Sequence, residues 1–303
     1  MDLLRKEQKR VISWSGFSLF IMAAVVFLVQ LLLELIISLT NPVLFKTDWL
    51  IWVETAITVS GIGAPVFIAF ISRIPDREHR EIKKLTVSQF FVIFFICVAA
   101  MYLTNYLSVF LTFIISLIKG ESVLNPMYEA AVNSNLYFMF GYGALIAPVM
   151  EELMFRKFLL GRLRRFGDLP AIIFSGVAFG LFHMNLSQFF YAAALGMIFA
   201  YVVIQTNTVR YTILLHIMIN AIGVAATPIA LKQDNIGLLM IMAIWVITSI
   251  SVGAVFFALN IKKIKFNKSD DNVLRKRDYL LNTGTILFIL ICVAHIIYIT
   301  FFA

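Results

Sequence analysis

The chain has 303 residues, 61% of them hydrophobic and only 14% charged, with a net charge of +8. Its apolar residues come in runs of about 20 rather than at the spacing of an amphipathic surface helix, which excludes a soluble domain and predicts an all-α, polytopic transmembrane helical bundle. In a soluble protein the positive balance would suggest nucleic acid; here it reads as membrane topology, and no nucleic-acid partner is expected.

Nine spans are predicted, at about 11–39, 49–71, 87–118, 134–160, 169–186, 189–205, 211–231, 236–260 and 280–303. The first is long for the apolar segment of a signal peptide and has no A-x-A site, so it reads as a retained anchor. At roughly 32 residues the third exceeds what a bilayer needs and is expected to tilt, protrude or break near Asn105. Counted against these spans, 20 of the 25 Lys and Arg fall on the N-terminus and on the loops after the second, fourth, sixth and eighth spans, and Arg156 and Lys157 lie at the end of the fourth span itself. Basic loops stay inside, so the N-terminus and those loops are expected to be cytoplasmic, with some affinity for anionic membrane lipid. The whole chain, 1–303, reads as one membrane domain: N-terminal spans in 1–133, a core of spans four to seven in 134–231, and C-terminal spans in 232–303 with a solvated basic loop at 261–279. Cys97 and Cys292 both lie within spans, too few and too deep for a disulfide framework.

Three of the spans carry polar residues that lipid would reject. The fourth contains "MEELMFRKFL" (150–159), although a charge at the bilayer centre costs at least ~2.5–3.5 kcal/mol. Glu152 and Arg156 are four apart and share a face, in the order that suits an ion pair, while Glu151 stands about 100° round the helix without that partner. Pro148, behind Gly141 and Gly143, predicts a kinked, closely packed helix. The fifth span, "FSGVAFGLFHMN" (174–185), sets His183 on the side of a Gly176/Gly180 small-residue pair, with Phe179 one turn before it. Glu151 lies 14 residues before Arg165 and His183 lies 13 after Pro170, so both should stand ~20 Å from the turn that joins the two spans. In the seventh span, "HIMIN" places His216 and Asn220 one turn apart on one face.

Each cluster also has a plainer reading: a structural ion pair with Glu151 snorkelling, a hydrogen-bonded core histidine, and polar glue between helices. Glu34 and Glu54 read as snorkelling residues near span ends, and His295 as a packed or interfacial residue. Taken together, the three clusters lack a Ser or Cys placed as a nucleophile, so the hydrolytic reading is water activation. Glu151, desolvated in the bilayer, is then the general base and His183 shares the attacking water. Glu152 holds Arg156 or assists proton transfer, and His216 and Asn220 aim donors at the oxyanion of an attacked amide. Zinc is the other use of such residues; without an H-E-x-x-H pattern it stands behind a metal-free mechanism, and no cofactor is expected.

"EELMFR" (Glu151–Arg156), "FGLFH" (Phe179–His183) and "HIMIN" (His216–Asn220) match EExxxR, FxxxH and HxxxN motifs in order. Over roughly residues 134–225 the chain resembles the CPBP family, the type II CAAX prenyl endopeptidases and their bacterial Abi relatives, which are associated with bacteriocin processing and self-immunity. The resemblance implies an intramembrane glutamic endopeptidase with a cavity reached from the cytoplasmic side. It also implies that Glu151 and His183 activate water, that His216 and Asn220 form the oxyanion hole, and that Glu152, Arg156 and Phe179 support them. The family was once thought to use zinc, which keeps the metal question open. Expected substrates are lipidated or membrane-inserted peptides, and the expected location is the cell membrane, with a bacterial cytoplasmic membrane favoured. The alternatives are a non-catalytic immunity or scaffold protein of the same fold and a proton-coupled transporter; nothing in the residues sets the oligomeric state.

Overall fold

A computed structural model describes residues 2–76, 81–123, 125–126, 134–226 and 236–302, and among these there is no strand. The described residues form nine apolar helices: α1 (Asp2–Thr40), α2 (Leu50–Ile71), α3 (Val87–Lys119), α4 (Leu136–Phe166), α5 (Asp168–Phe182), α6 (Leu186–Thr206), α7 (Arg210–Val224), α8 (Ile236–Lys263) and α9 (Thr283–Phe301). Seven are long and apolar enough to cross a membrane, while α5 and α7 are shorter. The chain is an all-helical, multi-pass membrane protein. The end of the seventh predicted span, 227–231, lies outside the described residues.

Local chemistry sets the helix ends. Thr86 and Gln89 form a reciprocal capping box at the start of α3, which ends at Gly120 with a left-handed φ of 78°. Between those ends α3 is continuous; the expected break near Asn105 is absent, because no Pro or Gly interrupts its hydrogen-bond ladder. The fifth span stops earlier than predicted. His183 N–H turns back to Gly180 O, Met184 takes a φ of 53°, and Asn185 caps α6 by accepting from Gln188 N at 2.9 Å. With 15 residues, α5 therefore rises only ~22 Å and reverses inside the protein, with His183 at the turn. Where α5 packs on α6, a Cβ at Gly176 would come within 2.8 Å of the Met197 backbone nitrogen, so only glycine allows the approach.

α4 is not a regular α-helix. Wider, π-type turns occupy Met139–Ile146 and Leu153–Leu159, on either side of the two glutamates, and another follows Asn220 over Ala221–Ala226. Such turns shift the side chains that follow them around the axis and are frequent at functional sites.

The basic segments meet at one end of the bundle. Arg5 makes a two-pronged bond to Asp278 at 2.8 Å, and Gln8 brackets the same loop through Asp271 O and Val273 N. Arg162 pairs with Asp76 at 3.3 Å, Arg164 donates to Asn207 at 2.9 Å, and Lys83 N bonds Thr206 O at 2.9 Å. Asp168 accepts from Asn267 through both its backbone and its side chain. Segments distant in sequence are thus fastened into one basic face.

Candidate active site

Glu151 stands midway along α4, His183 at the α5–α6 turn, and His216 and Asn220 on successive turns of α7. All four, with Phe179, line one cavity of about 360 Å³. Its wall also includes Gln30 of α1, Trp52 of α2, Tyr142 of α4, Tyr191 of α6 and His295 of α9.

Beneath the cavity lies an ion cluster sealed from solvent. Glu152 and Arg156 are each fully buried and pair at 3.1 Å, and the same Glu152 oxygen, Oε1, accepts from His216 Nδ1 at 3.1 Å. The Arg156 guanidinium lies 4.1 Å from the centre of the Phe179 ring and 5.4 Å from that of Phe199, a cation–π enclosure in which the rings replace water. Phe179 also meets His183 and His216 edge to face, at 4.8 Å and 5.7 Å between ring centres. It holds both imidazoles and the arginine at once. Glu152 and Arg156 are absent from the cavity wall; Glu152, expected to hold Arg156 or to assist proton transfer, contacts both Arg156 and His216.

The hydrogen bonds fix which ring nitrogen each histidine presents. His183 Nδ1 lies 2.9 Å from Phe179 O, and a carbonyl only accepts, so Nδ1 carries the hydrogen. In the neutral ring Nε2 then keeps its lone pair, ready to take a proton. His216 gives its Nδ1 hydrogen to Glu152, so it can donate from Nε2 only as the imidazolium. That Nε2 is 3.6 Å from Glu151 Oε2, within ionic reach and too long for a hydrogen bond.

Asn220 is oriented by a carbonyl that α4 leaves free. Ala147 N–H bonds Tyr142 O, and the next nitrogen along, at Pro148, has no hydrogen. Gly143 O therefore lacks a partner in its own helix, and Asn220 Nδ2 donates to it at 2.8 Å. One amide hydrogen anchors the side chain and the second is left to donate. The expected kink at Pro148 is thus a local change of helical winding that supplies an anchor for α7.

Among the described residues no three His, Cys, Asp or Glu side chains are grouped as a metal-binding set.

The cavity occupies the half of the bundle remote from the basic face. Trp52 and Thr55 lie at the start of α2, Tyr142 and Gly143 in the first half of α4, Gln188 and Tyr191 in the first turns of α6, and Val224 at the end of α7. Gln30 and His295 are wall residues that motif spacing could not find. They come from spans one and nine, and their only signal was polarity inside an apolar run; His295, read as a packed residue, lies tilted against Phe27 with ring centres 4.8 Å apart.

Residues 133–222 match the family model described as Type II CAAX prenyl endopeptidase Rce1-like. Among curated proteins, the one named "Putative membrane peptidase YdiL" from Bacillus subtilis (strain 168) is 31% identical over 78 residues, which make up 25% of this chain and 32% of that protein. The chain spans about a third of that relative's length in the match. No solved structure matches the chain. Glu151–Arg156, Phe179–His183 and His216–Asn220 all fall inside the residues that are similar to this family model.

Proposed function

We propose that the protein is an intramembrane endopeptidase that hydrolyses a peptide bond in a lipidated or membrane-inserted peptide without a metal. The observation that carries the reading is the convergence of Glu151, His183, His216 and Asn220 from three helices on one cavity. A water held between the Glu151 carboxylate and His183 Nε2 loses a proton to this pair as its oxygen attacks the carbonyl carbon. The imidazolium form of His216, steadied by Glu152, and the free amide hydrogen of Asn220 stabilise the oxyanion. The captured proton then passes to the departing amine as the C–N bond breaks. Arg156 and Phe179 hold the geometry from below. The cellular setting is a cell membrane, with a bacterial cytoplasmic membrane as the favoured one.

Purified protein in detergent, incubated with a panel of farnesylated and leader-type peptides with and without chelator, tests this. Cleavage is expected to survive chelator and to fall ~10²–10⁴-fold in Glu151→Ala. Cleavage that persists in Glu151→Ala removes the base, and cleavage abolished by chelator replaces water activation by a metal.

A further inference from the structure

We infer that the groove between α5 and α9 is a binding site for an anionic phospholipid, with an acyl chain along the groove and the headgroup on Lys276. The site shares no residue with the cavity that holds Glu151 and does not depend on the peptidase reading.

The groove has a volume of about 460 Å³. Leu169, Ile173, Val177 and Leu181 form one i+4 row along α5, and Phe288 and Ile289 line the groove from α9. Leu169 and Ile173 are each 46% exposed, so the row lies at the surface that lipid meets. From Leu169 to Leu181 it rises ~18 Å, close to the ~15 Å depth of one leaflet in a hydrocarbon core of about 30 Å. A groove lined in this way rejects water, and within a membrane an acyl chain fills it.

The end of the groove nearest the basic face is polar. Lys276 and Tyr279 line it from the short helical turn Lys276–Leu280 that precedes α9, and Lys276 is exposed, with no ion-pair partner among the described residues. Thr285, 3% exposed, also lines the groove, and its Oγ1 is buried with no hydrogen-bond partner. An ammonium and an unpaired hydroxyl at the head of an apolar groove match a phosphate followed by an ester carbonyl. Across the first turn of α9, Lys6, Lys9 and Arg10 line a second cleft with Thr283 and outnumber Glu7, so the local field favours an anion. With 20 of the 25 Lys and Arg on the basic segments, the positive-inside rule sets this end against the cytoplasmic leaflet, where anionic lipids lie. His183 caps α5, so the bound lipid lies along the helix that carries this cavity residue.

Quenching of tryptophan fluorescence by brominated lipid tests the site without any need for activity. The full chain carrying Ile173→Trp is reconstituted in phosphatidylcholine vesicles with increasing fractions of phosphatidylglycerol or phosphatidylcholine that bears brominated acyl chains. The parent chain, with its four tryptophans, gives the background. Leu169→Trp, at an equally exposed position, replaces Ile173→Trp if that variant fails to fold. Half-quenching is expected at a roughly 5-fold lower fraction of brominated phosphatidylglycerol than of brominated phosphatidylcholine, the effect of about one lysine at an anionic surface. Adding Lys276→Gln should bring the two lipids close to parity. Equal quenching by both lipids in the chain that retains Lys276 means bulk lipid only and overturns the site. A preference for phosphatidylglycerol that Lys276→Gln leaves unchanged removes the headgroup contact and overturns it as well.

Discussion

Two of the arginine–carboxylate pairs share their chemistry and differ in burial and reach: one joins neighbouring turns of α4, the other joins the first helix to a loop 273 residues away. Arg156 and Glu152 face each other at 3.1 Å with both side chains fully buried, and Glu152 also holds His216. Arg5 and Asp278 meet at 2.8 Å at the basic face, where a quarter of the arginine side chain remains exposed. Burying two charges is costly, and their attraction offsets that cost only while both remain, so the inner pair has little stabilising value of its own and a large penalty for being broken. The outer pair sits at the solvent edge, with Asp278 covered and Arg5 partly exposed, and fastens the first helix to the last loop. What the contrast teaches is that the inner pair is retained for what it positions.

The sharpest way to break the comparison is to remove one partner of each pair. Arg156→Ala leaves Glu152 buried and uncompensated and should cost about 3–5 kcal/mol, read as a large fall in the thermal midpoint or as loss of folded protein in detergent. A loss as small as that of the outer pair would mean that the cluster is not sealed.

Each pair lies beside helices that touch through glycine: α5 and α6 at Gly176 near the inner one, and α1 and α9 near the outer one, where a Cβ at Gly284 would strike the Ser13 backbone. Gly176→Ala and Gly284→Ala should each destabilise by ~1–3 kcal/mol through overpacking. Only Gly176→Ala should lower activity per folded molecule, because only that crossing carries His183. Equal activity in the two variants would detach α5–α6 packing from the site.

Smallest is the outer pair itself. Arg5 holds the Asp278 carboxyl down at about 2, against an ordinary value of 3.8. A depressed carboxyl contributes stability that is complete above its unfolded value and lost as pH falls through the folded one. Asp278→Asn should therefore cost ~0–1 kcal/mol at neutral pH. Its deficit against the parent should close between about pH 4 and pH 2. A gap that stays constant across that window would assign the loss to packing instead of charge.

Much of this was legible in the chain itself. The apolar runs locate the helices because lipid leaves backbone groups no partner except their own helix, and the basic loops mark one face. Spacing alone paired Glu152 with Arg156 and put Phe179 beside His183, since residues four apart share a helical face. Level placement of Glu151 and His183 followed from equal distances to a common turn.

Contacts between distant segments were beyond its reach. Pro148 reads as a kink, and only the position of α7 shows that it frees Gly143 O for Asn220. His295 and Gln30 lie in unremarkable apolar runs until α1 and α9 close the cavity wall. Glu152 as the group that holds His216 was likewise decided by tertiary structure alone. Local periodicity determines which side chains share a helix face, whereas the orientation of one helix against another depends on packing, which no single stretch of sequence encodes.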